Sequence, residues 1–158
     1  MWDDNDNDNL PGDDDCDPEK EQRRVESLPI YQKAEEIAEL TRRIVDSIDD
    51  EEVRMLHSNT MLEDSIALSA KIAGAEAVND YIIRMENATL IKIHARRLQT
   101  RSASLILAGV LPEEYLRLLR KEIDTFRLLF KQWVKSFDCC DKDGDGWGLF
   151  VDDETPEN

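Results

Sequence analysis

The chain has 158 residues and a formal net charge of −16, with 35% charged and 6% aromatic residues. No apolar run approaches the roughly 18 residues that a membrane span needs, and the first residues lack the basic and apolar regions of a signal peptide. The cysteines Cys16, Cys139 and Cys140 all lie towards the two ends, where none can staple the centre. We therefore expect a cytoplasmic protein with free thiols, in a reducing compartment and without membrane contact.

The negative charge is concentrated at the two ends of the chain. Residues 1–24 hold ten Asp or Glu against three Lys or Arg, and residues 138–158 hold eight against one. Residues 25–137 hold eighteen against sixteen. A segment with little apolar surface to bury cannot offset its ordering entropy. The sequence therefore predicts disordered acidic tails over 1–27 and 138–158, around one folded domain over 28–137.

The first half of this domain predicts two amphipathic helices. The first carries apolar or small residues at alternating steps of four and three, namely Ile30, Ala34, Ile37, Thr41, Ile44 and Ile48. The second follows Asp50, a candidate N-cap, and its apolar residues are Val53, Leu56, Leu62, Ile66 and Ala70. Gly74 is a candidate C-terminal cap for the second helix, and one helix continuing through Gly74 is the alternative.

The second half predicts two more helices. The third extends from about Ala75 to Ala108 and ends at Gly109. In the fourth, Pro112 suits the first turn and a heptad seam follows, with Leu116, Leu119, Ile123, Phe126, Phe130, Trp133 and Phe137 at steps of three and four. Four such helices with short connections and no strand pattern predict an all-α fold, an antiparallel up-down four-helix bundle.

Three short stretches carry a resemblance to a known family: Ile30-Tyr31-Gln32-Lys33-Ala34, Ile66 to Gly74, and Leu111-Pro112-Glu113-Glu114-Tyr115. Over about residues 28–137 the chain resembles the small bacterial four-helix-bundle proteins encoded by intervening sequences in large-subunit ribosomal RNA genes. The accessory variability protein of diversity-generating retroelements is a relative of that family. The chain departs from the pattern at Ser69 and Gly74, where the family has a proline and a glutamate.

The resemblance implies a homo-oligomer, with a pentameric ring as the expected form, and no catalytic site. In the retroelement branch it also implies a basic bundle that binds nucleic acid beside a reverse transcriptase. The negative total charge of this chain departs from that branch.

Charge is also divided within the domain. Residues 25–83 carry thirteen acids and five bases, whereas residues 84–135 carry five acids and eleven bases. The basic half is open to three interpretations: a phosphate-binding surface, a solvated face with local salt bridges, or one side of a head-to-tail contact between acidic and basic halves of neighbouring subunits. The candidate nucleic-acid contacts are Arg96, Arg97, Arg101, Arg117, Arg120 and Lys121.

The C-terminal segment contains two further motifs. Asp141, Asp143 and Asp145 resemble the start of an EF-hand calcium loop, but Asp152 stands where the bidentate glutamate is needed, so we favour an acidic tail over a metal site. Trp147, Leu149 and Phe150 form an apolar cluster among these acids. They either pack back on the bundle or form a linear motif that binds a partner protein.

Few residues support catalysis. His57 and His94 have no Cys or second His at ligand spacing and are expected at the surface or its boundary, and no Glu-x-x-His pair supports a di-iron site. We expect no cofactor. The sequence predicts a non-catalytic oligomeric scaffold or adaptor with partner-recruiting acidic tails, and the alternative is a nucleic-acid-binding accessory factor.

Overall fold

The computed structural model describes residues 17–152, so residues 1–16, including Cys16, and residues 153–158 lie outside the described part. Within residues 17–152 the fold is all-helical and contains no strand. The helices are α1 (Pro18–Glu26), α2 (Pro29–Asp46), α3 (Glu51–Glu76), α4 (Tyr81–Ala108) and α5 (Glu113–Lys135), followed by a short 3₁₀-helix over Ser136–Cys139. The four predicted helices correspond to α2 through α5, but the predicted start of the third at about Ala75 is wrong, since α4 begins at Tyr81.

The hydrophobic core lies between the four long helices. α2 and α4 each contact both α3 and α5, and α1 packs on α2. Each long helix contributes fully buried side chains, for example Ile37, Leu68, Leu98 and Leu119. Complete burial of such a side chain contributes about 1.5–3 kcal/mol, so this shared interior is the main source of stability.

Two of the predicted helix ends are confirmed. The Asp50 carboxylate accepts a hydrogen bond from the Val53 amide at 3.0 Å, which caps the start of α3. Gly109 ends α4 with a φ of +64°, a left-handed conformation that glycine adopts without steric cost.

Two features predicted for the second helix are wrong. α3 continues through Gly74 to Glu76, because Ala75 and Glu76 are themselves buried against the neighbouring helices. The continuous helix is therefore the correct alternative. The predicted apolar face is also incorrect, since Leu56 and Ile66 are 71% and 57% exposed.

Helix α1 forms where the composition predicts disorder. The Asp17 carboxylate caps its start by accepting a hydrogen bond from the Glu19 amide at 3.0 Å. Near its end, Val25 is buried, and an Arg24 Nη2 atom lies 2.9 Å from Glu76 Oε2 on α3. The prediction of disorder as far as residue 27 is therefore wrong for Pro18–Glu26, which packs against α2 and forms an ion pair with α3.

The segment after α5 packs against the helices as far as Cys140 and is exposed from residue 141 to residue 149. Phe137 and Cys140 are buried, and burial raises the pKa of the Cys140 thiol. The Asp141 amide donates to the Asn79 carbonyl at 3.0 Å, and the Tyr81 amide donates to the Asp141 carbonyl at 2.8 Å. Among residues 17–152, none of the helices combines the length and apolarity required to cross a bilayer.

Candidate functional site

A solvent-open cleft with a basic lining lies on the outer side of the α3/α4 pair. It has a volume of about 480 Å³. α3 contributes His57, and α4 contributes Ile93, Arg96, Arg97, Thr100, Arg101 and Ser104. The α4 residues recur at helical spacings of three and four, which brings them to one side of the helix.

A buried carboxylate contacts two of the arginines that line this cleft. Asp64 on α3 is fully buried, and its Oδ1 lies 2.8 Å from Nδ1 of His94 on α4. The Nε atoms of Arg97 and Arg101 lie 3.3 Å and 3.9 Å from its two oxygens. A carboxylate without water is stable only when cations or donors compensate it, so Asp64 orients both arginines towards the α3/α4 junction.

The balance of charge in the cleft is positive. Three guanidinium groups face one carboxylate, and Arg96 forms no ion pair with any residue between 17 and 152. Arg97 and Arg101 approach Asp64 through Nε, which leaves their terminal Nη nitrogens for another acceptor. Such paired donors match the geometry of phosphate and carboxylate oxygens.

Two buried polar atoms at the α3/α4 junction lack a hydrogen-bond partner within the described residues. They are Asp64 Oδ2 and Nδ1 of His57. Because unsatisfied buried polar atoms are rare in folded proteins, they mark this junction as a place where an ordered solvent molecule or a ligand would be stabilised. Asp64 Oδ2 is an acceptor and suits a donor such as water, so it is the guanidinium groups of Arg96, Arg97 and Arg101 that can bind an anion.

The six predicted nucleic-acid contacts divide into two groups. Arg96, Arg97 and Arg101 meet in the cleft. The other three belong to α5, where Arg120 donates through Nη1 to the Gln99 carbonyl at 2.8 Å and therefore ties α5 to α4.

The remaining α5 residues are less constrained. Arg117 pairs with Glu113 at 2.6 Å on the helix surface. Lys121 is exposed. The α5 group therefore does not extend the cleft.

The tail residues singled out in the sequence are mostly exposed. Trp147 and Leu149 are 86% and 76% exposed, and Phe150 is half-buried. The four candidate calcium ligands Asp141, Asp143, Asp145 and Asp152 are exposed as well. Over the described range, no three His, Cys, Asp or Glu side chains are grouped so that they could hold a metal ion.

Sequence reasoning missed a second buried carboxylate, Glu76 on α3. Its Oε1 accepts a hydrogen bond from the Trp133 indole at 2.7 Å and lies 3.3 Å from Arg84 Nη1. Hydrogen bonds to Glu21 and to Glu76 raise the pKa of Arg24 further above its ordinary range. Glu76 is fully partnered and joins α1, α3, α4 and α5, so its role is structural.

Comparisons with protein-family models, with curated proteins and with solved structures return no match.

Proposed function

We propose that the chain is a non-catalytic oligomeric scaffold: an antiparallel up-down four-helix bundle, formed by α2 to α5, whose acidic ends recruit partner proteins. The observation that carries this proposal is the apolar outer side of α3 and α4. Large apolar residues remain exposed there, namely Met55, Leu56 and Ile66 on α3 and Ile83, Leu90, Ile93 and Leu107 on α4.

The spacing of these residues supports an interface. Ile83 and Leu90 are seven residues apart on α4, as are the buried Ile91 and Leu98 of the core. A helix with apolar residues at this repeat on two sides is suited to packing on two surfaces. The first surface is the bundle core, and the second is available to another copy of the chain.

Light scattering on the full chain tests this assembly. We expect a mass that is a multiple of 18.2 kDa. Replacement of Leu90 and Ile93 by serine should lower the mass while the helical circular dichroism is retained. The matched control replaces Leu118 and Leu128, two exposed leucines of α5, and should leave the assembly intact.

Two results would contradict the scaffold: a wild-type chain that is monomeric throughout the micromolar range, or equal dissociation in both variants. The resemblance implies a pentameric ring, and the measured mass decides the ring size.

A second candidate function is nucleic-acid binding, which the positive charge of the cleft favours. Lys and Arg side chains release counterions when they contact phosphates, so affinity falls as salt rises. A gel shift at low salt with single-stranded RNA compares the intact chain, Arg96→Glu/Arg97→Glu and the control Arg117→Glu/Lys121→Glu. We expect only the cleft variant to lose binding, with a salt slope lower by about one per lost phosphate contact.

The same gel shift can compare the intact chain with one that lacks the outermost part of each acidic end. If they shield the basic surface, removal of residues 1–16 and 153–158 should increase the affinity at low salt. Absence of binding by every form would exclude this second function and leave the scaffold unaffected.

A further inference from the structure

A second groove, distinct from the cleft, lies between α4 and α5. Its volume is about 480 Å³, within the range of about 300–1,000 Å³ that is typical of ligand pockets. The floor is apolar and consists of Ile91, Ala95, Ile123, Phe126 and Phe130. Ile91, Ile123 and Phe126 also belong to the hydrophobic core, so the floor is the outer edge of that core.

The rim of this groove is basic. Lys92 and Arg96 on α4 and Arg127 and Lys131 on α5 surround the floor. Arg127 lies 3.4 Å from Asp124, whereas the other three cations form no ion pair with residues 17–152. A molecule that fits this groove must therefore present aromatic or aliphatic side chains to the floor and negative charges to the rim.

The chain itself contains a segment with this chemistry. Residues 146–152 present Trp147 and Leu149 almost completely to solvent. The acids Asp143 and Asp145 precede them, and Asp152 follows. Exposed aromatic and aliphatic side chains within a strongly acidic segment are energetically unfavourable unless they dock on another surface. The segment and the groove are complementary both in charge and in polarity.

The local conformation presents Trp147 away from its own chain. Gly146 and Gly148 on either side have φ values of +82° and +62°, and the Trp147 amide donates to the Asp145 carboxylate at 3.0 Å. These features hold the residue at the tip of a tight turn. The segment is also held at Asp141, whose backbone forms hydrogen bonds with Asn79 and Tyr81 in the connection between α3 and α4.

The segment does not occupy the groove of its own chain in this structure, because Trp147 and Leu149 remain 86% and 76% exposed. A second copy can therefore bury both side chains.

We propose that residues 146–152 of one copy dock in the α4/α5 groove of a second copy, with Trp147 and Leu149 on the apolar floor and the flanking aspartates against Lys92, Arg96 and Lys131. This contact uses a different surface from the apolar outer side of α3 and α4, so it does not depend on the scaffold proposal. Arg96 also lines the cleft, and docking would therefore compete with an anion bound there.

Photo-crosslinking of the full chain tests the contact. Trp147→p-benzoylphenylalanine places a benzophenone at the tip of the turn, and equal amounts of ¹⁴N- and ¹⁵N-labelled protein are mixed before irradiation. We expect crosslinked peptides that join residue 147 to the groove, notably to Phe126 or Phe130, with one partner of each isotope. The yield should fall at high salt, because the rim contributes through charge.

Charge reversal on the rim gives the matched comparison. Lys92→Glu/Lys131→Glu should lower the yield about tenfold, since attraction to the aspartates becomes repulsion. The control Lys121→Glu/Lys135→Glu makes the same change in charge on exposed lysines outside the groove and should leave the yield unchanged. All four lysines are exposed, so each variant should fold, which circular dichroism verifies.

Three results would overturn the proposal: crosslinks confined to one isotope, which place the segment in its own groove; crosslinks to the outer side of α3 and α4; or equal yields in the two charge variants. None of these bears on whether replacement of Leu90 and Ile93 lowers the mass. Failure of the docking proposal is therefore distinguishable from failure of the scaffold.

Discussion

The two helix pairs of the molecule differ in how they divide apolar and polar residues. α2 buries Ile30, Ile37 and Ile44 on one side and carries charged residues on the other, and α5 buries a similar stripe but leaves Tyr115, Leu118 and Leu128 exposed. α3 and α4 bury a comparable stripe but also expose large apolar residues on the side away from the core. α2 and α5 concentrate most of their apolar residues on the core side, whereas in α3 and α4 apolar residues occur around the whole helix, which suits a core and a second surface.

The pairs also differ in where they place charge. α3 carries the two buried carboxylates, Asp64 and Glu76, whose cationic partners include Arg97 and Arg84 on α4. Between α2 and α5 the corresponding contact is the more peripheral ion pair of Lys33 and Glu122. Some of the acids of the first half of the domain therefore form ion pairs with bases of the second half within one chain, between α3 and α4.

The largest effect that tests this contrast is expected in the core of α5. Leu119→Ala should lower the free energy of unfolding by about 2–5 kcal/mol, since a fully buried leucine leaves a cavity. The control Leu128→Ala, on the exposed side of the same helix, should change it by less than about 0.5 kcal/mol. Urea denaturation followed by circular dichroism measures both, and similar losses would contradict the one-sided burial of α5.

A smaller loss is expected at the buried charge of α3. Asp64→Asn should cost about 1–3 kcal/mol, because it removes the charge that compensates Arg97 and Arg101. The loss stays below that of a fully buried pair because both arginines are partly exposed and can turn towards water. The control is Glu63→Gln at the neighbouring exposed position. Equal stability of the two variants in the same denaturation would show that Asp64 does not need its charge.

The same contrast explains which predictions from the sequence succeed. Every residue of the predicted stripe from Ile30 to Ile48 is buried, although Ile48 lies just beyond the end of α2. The predicted seam of the fourth helix, which continues into the 3₁₀-helix at Phe137, is buried at all positions except the half-buried Phe130. In a one-sided helix the apolar period defines a single face. In α3 apolar residues occur around the whole helix, so the period does not distinguish the exposed Leu56 and Ile66 from the buried Met61 and Leu68.

The candidate site was predictable only in part. Clustered charge indicated Arg96, Arg97 and Arg101, but Asp64 and His94 are 30 residues apart and meet only because α3 and α4 pack against each other. Helix α1 was missed for the same reason, since its ion pair with Glu76 spans more than fifty residues of sequence. Contacts of this kind depend on packing and leave no local pattern.

A gain in stability is expected at Gly74, within α3. Glycine in a helix interior is less stable than alanine by about 0.5–1 kcal/mol, because it loses more backbone entropy on folding. A Cβ added there would lie 3.6 Å from Asn87 Oδ1, an ordinary contact distance. Gly74→Ala should therefore raise the free energy of unfolding by that amount in urea denaturation, with Ala70→Gly as the reverse control. A loss of stability would mean that α3 and α4 pack too closely for a methyl group.

The smallest effect is expected at the α2/α5 ion pair. Lys33 Nζ lies 2.7 Å from Glu122 Oε2, and the two side chains are 19% and 24% exposed. Lys33→Met retains most of the apolar stem and removes the charge, so the free energy of unfolding at neutral pH should fall by about 0.5 kcal/mol. The control is Lys121→Met, since Lys121 forms no ion pair with residues 17–152.

The pH dependence of stability distinguishes the contribution of the Lys33 charge from that of its methylene stem. Hydrogen bonds to Glu122 and Glu36 raise the pKa of Lys33 above its ordinary 10.5. A raised lysine pKa stabilises the folded state fully below the unfolded value, and the contribution is lost as the pH rises through the folded value. The difference between wild type and Lys33→Met should therefore persist up to about pH 10 and shrink above it. A difference independent of pH would assign the loss to the methylene stem.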